Sequence, residues 1–280
     1  MSGRFLVTRL AAGCAVALAA TGLASAEPRG VVSAPDCAAP PTLSVIDAAL
    51  DRSAARIVRG HPLTIVAMGS SSTKGTGASS PAMSYPSRLE TELRDRFPLV
   101  EIRVLNRGLG GEDVGQEIAR FSQDVFALDP DLVIWQVGTN AVLRRDEFAD
   151  DERSIRQGVD SIQERGIDLI LMDLQYAPRV LARPAWSEME RIINETAQRA
   201  HVGLFRRFEI MREWDHVQQL APMAMIGPDG LHMTDASYGC LARQLAAALA
   251  QNWWSYASRA AVVGLARQEN ARSAGAPGAR

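Results

Sequence analysis

Short apolar runs alternate along this 280-residue chain with longer segments in which apolar residues recur every three or four positions. The run at 63–68 contains three β-branched residues and is typical of a strand buried on both faces. In the segment 87–97, Leu89, Leu93 and Phe97 form one apolar face of a helix. The same two patterns predict further strands at 100–105, 132–137, 167–174 and 202–205, and helices at 43–59, 118–128, 147–165, 185–200, 208–220 and 237–255.

Alternation of strands and helices through most of the chain predicts a parallel sheet covered by helices on both faces. The expected fold class is therefore α/β, in one domain of residues 43–258 that begins with the helix at 43–59. An apolar content of 47% is sufficient for the core of such a domain.

The segments that flank this domain have a different composition. Residues 1–26 combine two arginines, an apolar stretch and a small-residue cleavage site at 24–26, a pattern typical of an export signal. Residues 27–42 are rich in proline and predict an extended lead-in, and the Gly/Ala/Arg-rich residues 259–280 predict a flexible tail. We therefore expect an exported protein, periplasmic or secreted; the alternative is an uncleaved membrane anchor.

The charge of the chain indicates which partners to expect. The formal net charge is −2, and loss of the two arginines in residues 1–26 takes it to −4. No basic run is present, so a nucleic acid is not an expected partner. The sequence leaves the oligomeric state open.

Two cysteines, Cys37 and Cys240, lie outside the signal, and the sequence leaves open whether they pair. Their number and spacing do not indicate a structural zinc site.

Four polar turns carry the candidate chemistry, at residues 70–73, 110–111, 138–140 and 229–232. The first three follow predicted strands. Because the carboxyl ends of parallel strands share one edge of the sheet, where open α/β sheets bind ligands, we expect these turns to converge there. A serine of the first turn would then meet the histidine of the fourth.

The residue types in these turns are those that acyl transfer requires. Asp229 precedes His232 by three residues, so its carboxylate can hold the imidazole Nδ1–H while Nε2 faces a serine. A serine N–H, a glycine N–H from 110–111 and the Asn140 amide can stabilise an oxyanion. Each group alone is more typical of a turn or a helix cap. Their occurrence together, in this order, predicts a serine esterase.

The ordered turns resemble the signature blocks of a known enzyme family. The resemblance is to the SGNH/GDSL hydrolases, spans about residues 63–245, and rests on the blocks GSSST at 69–73, NRGLGG at 106–111, GTN at 138–140 and DGLH at 229–232. It implies a three-layer α/β/α sandwich with a flavodoxin-like parallel sheet. It also implies ester hydrolysis through an acyl-serine, without a cofactor.

Carried over residue by residue, the resemblance implies the nucleophile Ser71, the base His232, the orienting acid Asp229, and the oxyanion donors Gly111 and Asn140 beside the main-chain N–H of Ser71. One departure is evident: Ser70 stands where the family commonly has aspartate. Three adjacent serines result, and Ser70 and Ser72 remain alternative nucleophiles.

The function expected from this resemblance is hydrolysis of short acyl esters, acetyl in particular, on a small-molecule or glycan substrate. The alternatives are an acyltransferase, a lysophospholipase or lipase with the same triad, and an inactive glycan-binding module. A metal site at Asp229, His232 and Asp235 is a further alternative. Tyr176 and Trp186, after predicted strands, are weaker candidates for the wall of an acyl or alcohol pocket.

Overall fold

A parallel β-sheet forms the centre of the molecule, whose computed structural model describes residues 37–216 and 222–274. Within that part of the chain the sheet consists of β1 (Leu63–Gly69), β2 (Ile102–Gly108), β3 (Leu132–Gln136), β4 (Asp168–Met172) and β5 (Gly203–Phe205). Their order across the sheet is β2-β1-β3-β4-β5, and every neighbouring pair is parallel. This is the flavodoxin-like order, so the α/β prediction is confirmed.

Helices connect the strands and cover the sheet. They are α1 (Asp51–Arg59), α2 (Ser71–Lys74), α3 (Tyr85–Arg96), α4 (Val114–Ala119), α5 (Phe121–Asp124), α6 (Thr139–Arg144), α7 (Ala149–Gln163), α8 (Pro178–Leu181), α9 (Trp186–Ala200), α10 (Arg207–His216), α11 (Pro222–Met225) and α12 (Asp235–Ala274), with 3-10 turns at Pro81–Met83 and Phe126–Leu128. Because crossovers are right-handed and β2 lies on the opposite side of β1 from β3, α3 covers one face and α7 and α9 the other. Helices α1 and α3 pack on α12, and α4 and α9 pack on α7, which completes the three-layer sandwich.

The strand that leads into the glycine-rich segment is longer than predicted. The pattern ends this strand at residue 105, whereas β2 continues to Gly108. A Cβ at Gly108 would lie 2.1 Å from the main-chain N of Lys74. Glycine is therefore required here because α2 approaches the strand directly.

The predicted helix at 43–59 is wrong in its first half, since α1 begins only at Asp51. The carbonyls of Ile46 and Ala48 accept hydrogen bonds from Asn252 Nδ2 of α12, at 3.0 and 2.8 Å. An α-helix would need those carbonyls for N–H groups four residues further on. Ile46 and Leu50 are nevertheless buried, which accounts for the helix-like apolar pattern.

The predicted helix at 118–128 is broken into α4, α5 and a 3-10 turn. The break falls at Arg120, whose Nη2 lies 2.6 Å from the Glu112 carboxylate and 3.0 Å from the carbonyl oxygen of Arg107. Phe121 then turns into the core, with its ring centroid 5.0 Å from that of Trp135. These tertiary contacts outweigh the helical periodicity.

The ends of the domain also differ from expectation. Helix α12 extends to Ala274, into the segment 259–280 for which the sequence predicts a flexible tail. Alanine-rich sequence with high helix propensity accounts for the extension. The signal predicted at 1–26, and most of the lead-in at 27–42, lie outside the described residues. Among the described helices, none is long and apolar enough to cross a membrane.

A disulfide ties the start of the described chain to α12. Cys37 and Cys240 are bonded, with Cα atoms 5.4 Å apart. The Cys37 carbonyl also accepts hydrogen bonds from Gln244 Nε2 at 2.6 Å and from Trp214 Nε1 at 3.2 Å. Tertiary structure thus decides a pairing that the sequence left open.

Candidate active site

The turn that follows β1 places Ser71 at the first position of α2, on the carboxyl-terminal edge of the sheet. We call residues 69–75 the serine turn. A Cβ at Gly69 would lie 2.5 Å from Thr73 Oγ1 and 3.1 Å from the main-chain O of Gln136, so the turn requires glycine. N–H groups in the first turn of a helix have no intrahelical acceptor, which leaves the Ser71 N–H available to a ligand.

Residues 227–232, here called the histidine loop, bring an imidazole to this serine. Ser71 Oγ lies 2.8 Å from His232 Nε2, and His232 Nδ1 lies 2.5 Å from Asp229 Oδ2. The other carboxylate oxygen of Asp229 accepts the main-chain N–H groups of Leu231 and His232, at 3.0 and 2.9 Å. The loop therefore holds its own acid in place while that acid holds the imidazole.

The surroundings of Asp229 keep it ionised. Burial by itself raises the pKa of this carboxyl. The hydrogen bonds from the His232 ring and from the N–H groups of His232 and Leu231 outweigh burial and lower the pKa to about 2. A carboxylate at Nδ1 favours the Nδ1–H tautomer, so that Nε2 can accept the proton of the Ser71 hydroxyl.

The two neighbouring serines are engaged elsewhere. Ser70 Oγ donates to Gln136 Oε1 at 3.1 Å, and Ser72 Oγ donates to Gln175 Oε1 at 2.8 Å. Both serines are buried, and neither is bonded to the imidazole. Of the three adjacent hydroxyls, that of Ser71 is the one hydrogen-bonded to the imidazole.

Two buried glutamines at the site escaped the sequence analysis. Gln136 is the last residue of β3, and Gln175 lies three residues beyond the end of β4. Gln136 Oε1 also accepts the Ser70 N–H at 3.2 Å. Gln136 thus holds the serine turn at Ser70, the position at which SGNH/GDSL hydrolases commonly have aspartate. A polar residue inside an apolar strand is a signal that could have identified Gln136. Gln175 stands in a predicted loop, where a polar residue carries no signal.

The segment after β2, residues 108–112, is here called the glycine loop, and it lies beside the serine turn. A Cβ on Gly110 would be 3.9 Å from the Ser71 Cβ, and Gly111 has a φ of +85°, a conformation that favours glycine. Asn140, in the first turn of α6, donates one amide hydrogen to the carbonyl of Glu112 at 2.7 Å. Its second amide hydrogen remains for a ligand. One turn further along α6, Arg144 Nη2 donates to the Gly111 carbonyl at 2.6 Å.

The alternative metal site has no support in the side-chain contacts. Both ring nitrogens of His232 are hydrogen-bonded, to Ser71 and Asp229. The Asp235 carboxylate binds Ser79 instead, with Oδ1 2.8 Å from the Ser79 N–H. Across residues 37–216 and 222–274, no group of three or more His, Cys, Asp or Glu side chains could hold a metal ion.

The chain matches a known family over most of its length. The model of the non-GDSL lipase-like family matches residues 36–253. The chain belongs to this family. The predicted resemblance to SGNH/GDSL hydrolases is confirmed, and the enzyme class expected from it, a serine ester hydrolase, is that of the family. No curated protein matches the sequence.

Three solved structures are similar to this chain in fold. A two-domain esterase active on acetylated mannans is similar with a TM-score of 0.62 and 18% identity, over 75% of this chain and 56% of that chain. Axe2, an acetylxylan esterase from Geobacillus stearothermophilus, has a TM-score of 0.57 and 21% identity, over 68% and 95%. A G-D-S-L family lipolytic protein from Desulfitobacterium hafniense DCB-2 has a TM-score of 0.56 and 18% identity, over 66% and 98%. The non-GDSL lipase-like protein thus has the SGNH hydrolase fold, and it spans little more than half of the two-domain esterase.

The two weaker aromatic candidates lie in different surroundings. Tyr176 lines an apolar cavity of about 410 Å³ that borders Gly230 of the histidine loop. Trp186 does not line it and instead stacks on Phe208, with ring centroids 4.6 Å apart. Ser71 is not part of the cavity wall, so the cavity adjoins the loop rather than containing the hydroxyl.

Proposed function

We propose that this protein hydrolyses acetyl and other short acyl esters of carbohydrates, with Ser71 as the nucleophile. One observation carries the proposal: Ser71 Oγ lies 2.8 Å from His232 Nε2, and His232 Nδ1 lies 2.5 Å from Asp229. In a serine–histidine–aspartate triad the imidazole accepts the serine proton as the hydroxyl attacks a carbonyl carbon. Membership of a lipase-like family supports the same chemistry.

In the first half-reaction, Ser71 Oγ bonds to the ester carbonyl carbon and its proton moves to His232 Nε2. The carbonyl oxygen becomes an oxyanion, stabilised by the N–H groups of Ser71 and Gly111 and by the second amide hydrogen of Asn140. Collapse of this intermediate breaks the bond to the alcohol oxygen, which leaves with the proton held by His232.

In the second half-reaction, water attacks the acyl-serine and gives a proton to His232. The proton returns to Ser71 Oγ as the carboxylic acid departs. Asp229 stays ionised in both halves because its pKa is lowered to about 2. Its charge stabilises the imidazolium each time that this forms.

A carbohydrate ester is supported by two structural neighbours, one active on acetylated mannans and one an acetylxylan esterase. The surface beside the glycine loop has the matching chemistry. An open polar groove of about 750 Å³ runs there, lined by Asp113, Arg144 and Arg145 among others. Charged side chains of this kind can bind sugar hydroxyls.

The decisive experiment is a panel of p-nitrophenyl esters of increasing acyl length, run beside acetylated xylan and acetylated mannan. We expect release of acetate from at least one polysaccharide, a rate that falls with acyl length, and stoichiometric labelling by a fluorophosphonate. Ser71→Ala should abolish both readouts. Absence of labelling and of hydrolysis in the wild type would contradict the proposal and favour a binding module.

A longer acyl group is a second candidate, which the apolar cavity favours. Its volume of about 410 Å³ exceeds what an acetyl group needs, and its walls include Met211, Trp214 and Ile226. The same panel decides between the two. Higher activity on octanoyl or longer esters than on acetyl would identify a lipase or lysophospholipase.

Export is part of the proposal. The composition of residues 1–26 and the Cys37–Cys240 disulfide support it, because disulfides persist in oxidising compartments. After expression in a Gram-negative host, we expect mass spectrometry of the periplasmic fraction to find a mature chain that begins at Glu27. Recovery of the full-length chain from the cytoplasm alone would contradict this expectation.

A further inference from the structure

The side chain of Gln175 connects the two parts of the site. Its Oε1 accepts a hydrogen bond from Ser72 Oγ at 2.8 Å, and its Nε2 donates to the main-chain carbonyl of Leu231 at 3.0 Å. Ser72 follows Ser71 in the serine turn, and Leu231 precedes His232 in the histidine loop. Gln175 is 0% exposed, so water does not compete for these bonds.

The two bonds fix the orientation of the amide. The Leu231 carbonyl can only accept, so the amide nitrogen must face it, and the amide oxygen then faces the Ser72 hydroxyl. A carboxylate could not donate to Leu231, and an apolar side chain could serve neither partner. A buried primary amide is therefore the group that suits both contacts.

The bridge joins segments that are distant along the chain. Gln175 is 103 residues from Ser72 and 56 from Leu231. The chain just beyond the serine turn also lies close to the end of the histidine loop, since a Cβ on Gly77 would lie 3.0 Å from the Cβ of His232 and 2.4 Å from the main-chain O of Met233. Gln175 thus links the serine turn to the histidine loop, two segments that no short stretch of chain connects.

We propose that Gln175 is a positioning residue for the ester hydrolysis proposed above, and that its amide sets the separation between Ser71 Oγ and His232 Nε2. It touches neither substrate nor reacting atoms and acts through Ser72 and Leu231. Misplacement of a reacting group by about 1 Å can cost about 100-fold in rate. Loss of the bridge therefore lowers kcat and leaves KM nearly unchanged.

The first test compares Gln175→Met with Asn252→Leu. Asn252 is a matched control, because it too is an amide that bonds main-chain carbonyls, of Ile46 and Ala48, but it belongs to no part of the site. We expect Gln175→Met to lower kcat on p-nitrophenyl acetate by about 10- to 100-fold, with KM within about twofold. Asn252→Leu should lower the melting temperature and leave kcat unchanged.

The second test uses Gln175→Glu and Ser72→Ala. A protonated glutamic acid can accept from Ser72 and donate its O–H to Leu231, whereas a carboxylate cannot donate. The ratio of the kcat of Gln175→Glu to that of wild type should therefore be near one at acidic pH and fall as pH rises. Ser72→Ala removes one bond only and should lower kcat by a smaller factor than Gln175→Met.

The outcomes separate this proposal from the one on which it rests. If wild type neither hydrolyses esters nor reacts with a fluorophosphonate, the proposed function fails. If wild type is active and Gln175→Met keeps its kcat, Gln175 is merely structural and the present proposal is overturned. If Gln175→Met does not fold, Ser72→Ala decides: unchanged kcat and unchanged labelling rate overturn the proposal, and a reduced kcat at unchanged KM supports it.

Discussion

The two edges of the sheet are held together by different chemistry. At the amino-terminal edge, the buried carboxylate of Asp131 and the partly buried carboxylate of Asp168 bind the elements around them. Asp131 accepts Arg56 Nε at 2.9 Å and the Thr64 N–H at 3.1 Å. Asp168 accepts the N–H and the hydroxyl of Ser53, at 2.8 and 2.7 Å. Charge pairs and charge-assisted hydrogen bonds therefore fix α1 to the sheet.

At the carboxyl-terminal edge, the groups that hold the serine turn are neutral amides. Gln136 and Gln175 bond the serines on either side of Ser71. Asp173 is buried at this edge, and Glu190 is partly buried there. Burial raises the pKa of both carboxyls, which favours their neutral forms.

The physical reason for the difference lies in the imidazole. A fixed charge beside a catalytic imidazole alters how readily that imidazole accepts a proton, whereas an amide positions its partners without adding a charge. The charge directly bonded to the ring is that of Asp229, where the proposed mechanism needs it. The amino-terminal edge contains no titrating group of the proposed reaction, so charges can serve there as structural ties.

The largest expected effect comes from Ser71, which lies between the two serines that the glutamines bind. Ser71→Ala should lower kcat/KM by on the order of 10⁴-fold or more, because no acyl-serine can form. The melting temperature should stay within a few degrees of wild type. Ser80→Ala, at an exposed serine nearby, is the matched control and should be fully active. Residual activity with labelling transferred to Ser70 or Ser72 would refute the assignment.

A smaller loss is expected at the oxyanion side of the same edge. Asn140→Ala removes one donor and the tie to the Glu112 carbonyl. We expect kcat to fall by about 10²- to 10³-fold, with a much smaller change in KM. Steady-state kinetics on p-nitrophenyl acetate measure both. An Asn140→Ala variant with wild-type kcat would remove Asn140 from the proposed mechanism.

Glu117 of α4 is a buried carboxyl whose hydrogen-bond partner is a neutral donor, so it tests the role of charge in the core. Trp135 Nε1 donates to Glu117 at 2.7 Å, and burial raises the Glu117 pKa to about 8. The folded state therefore holds this proton more tightly than the unfolded chain does. The resulting stability is full below about pH 4.5 and is lost as pH rises through about 8.

Glu117→Gln should remove this pH dependence. We expect the variant to gain about 4 kcal/mol in unfolding free energy relative to wild type between pH 5 and pH 9. Urea denaturation at both pH values measures the difference. An equal effect of the substitution at both pH values would show that Glu117 is not protonated in the folded state.

The smallest effect is expected at the amino-terminal edge, and it concerns stability alone. Asp131→Asn replaces a charged acceptor of Arg52 and Arg56 by a neutral one. We expect a loss of about 1–2 kcal/mol in unfolding free energy and no change in kcat. A reduced kcat in a folded Asp131→Asn variant would break the contrast between the edges.

The residues of the candidate site that the sequence predicts are those that belong to short local motifs. Asp229 and His232 lie within one turn of chain, and Asn140 follows a buried strand directly. Their proximity to Ser71 follows from the topology of a parallel sheet, which the apolar pattern predicts. Gln136 is marked in the sequence only as a polar residue within an apolar strand, and Gln175 is not marked at all, because the importance of a lone polar residue depends on which distant groups it faces.

The apolar pattern by itself determined the five strands, the α/β class and the edge at which the polar turns meet, since the burial of a strand depends mainly on its own residues. Tertiary structure alone decided the late start of α1, the Cys37–Cys240 bond and the bridge from Ser72 through Gln175 to Leu231. Each of these depends on partners far along the chain. Such partners leave no periodic trace in the sequence, because a single hydrogen bond or disulfide selects one geometry without requiring a pattern of residues around it.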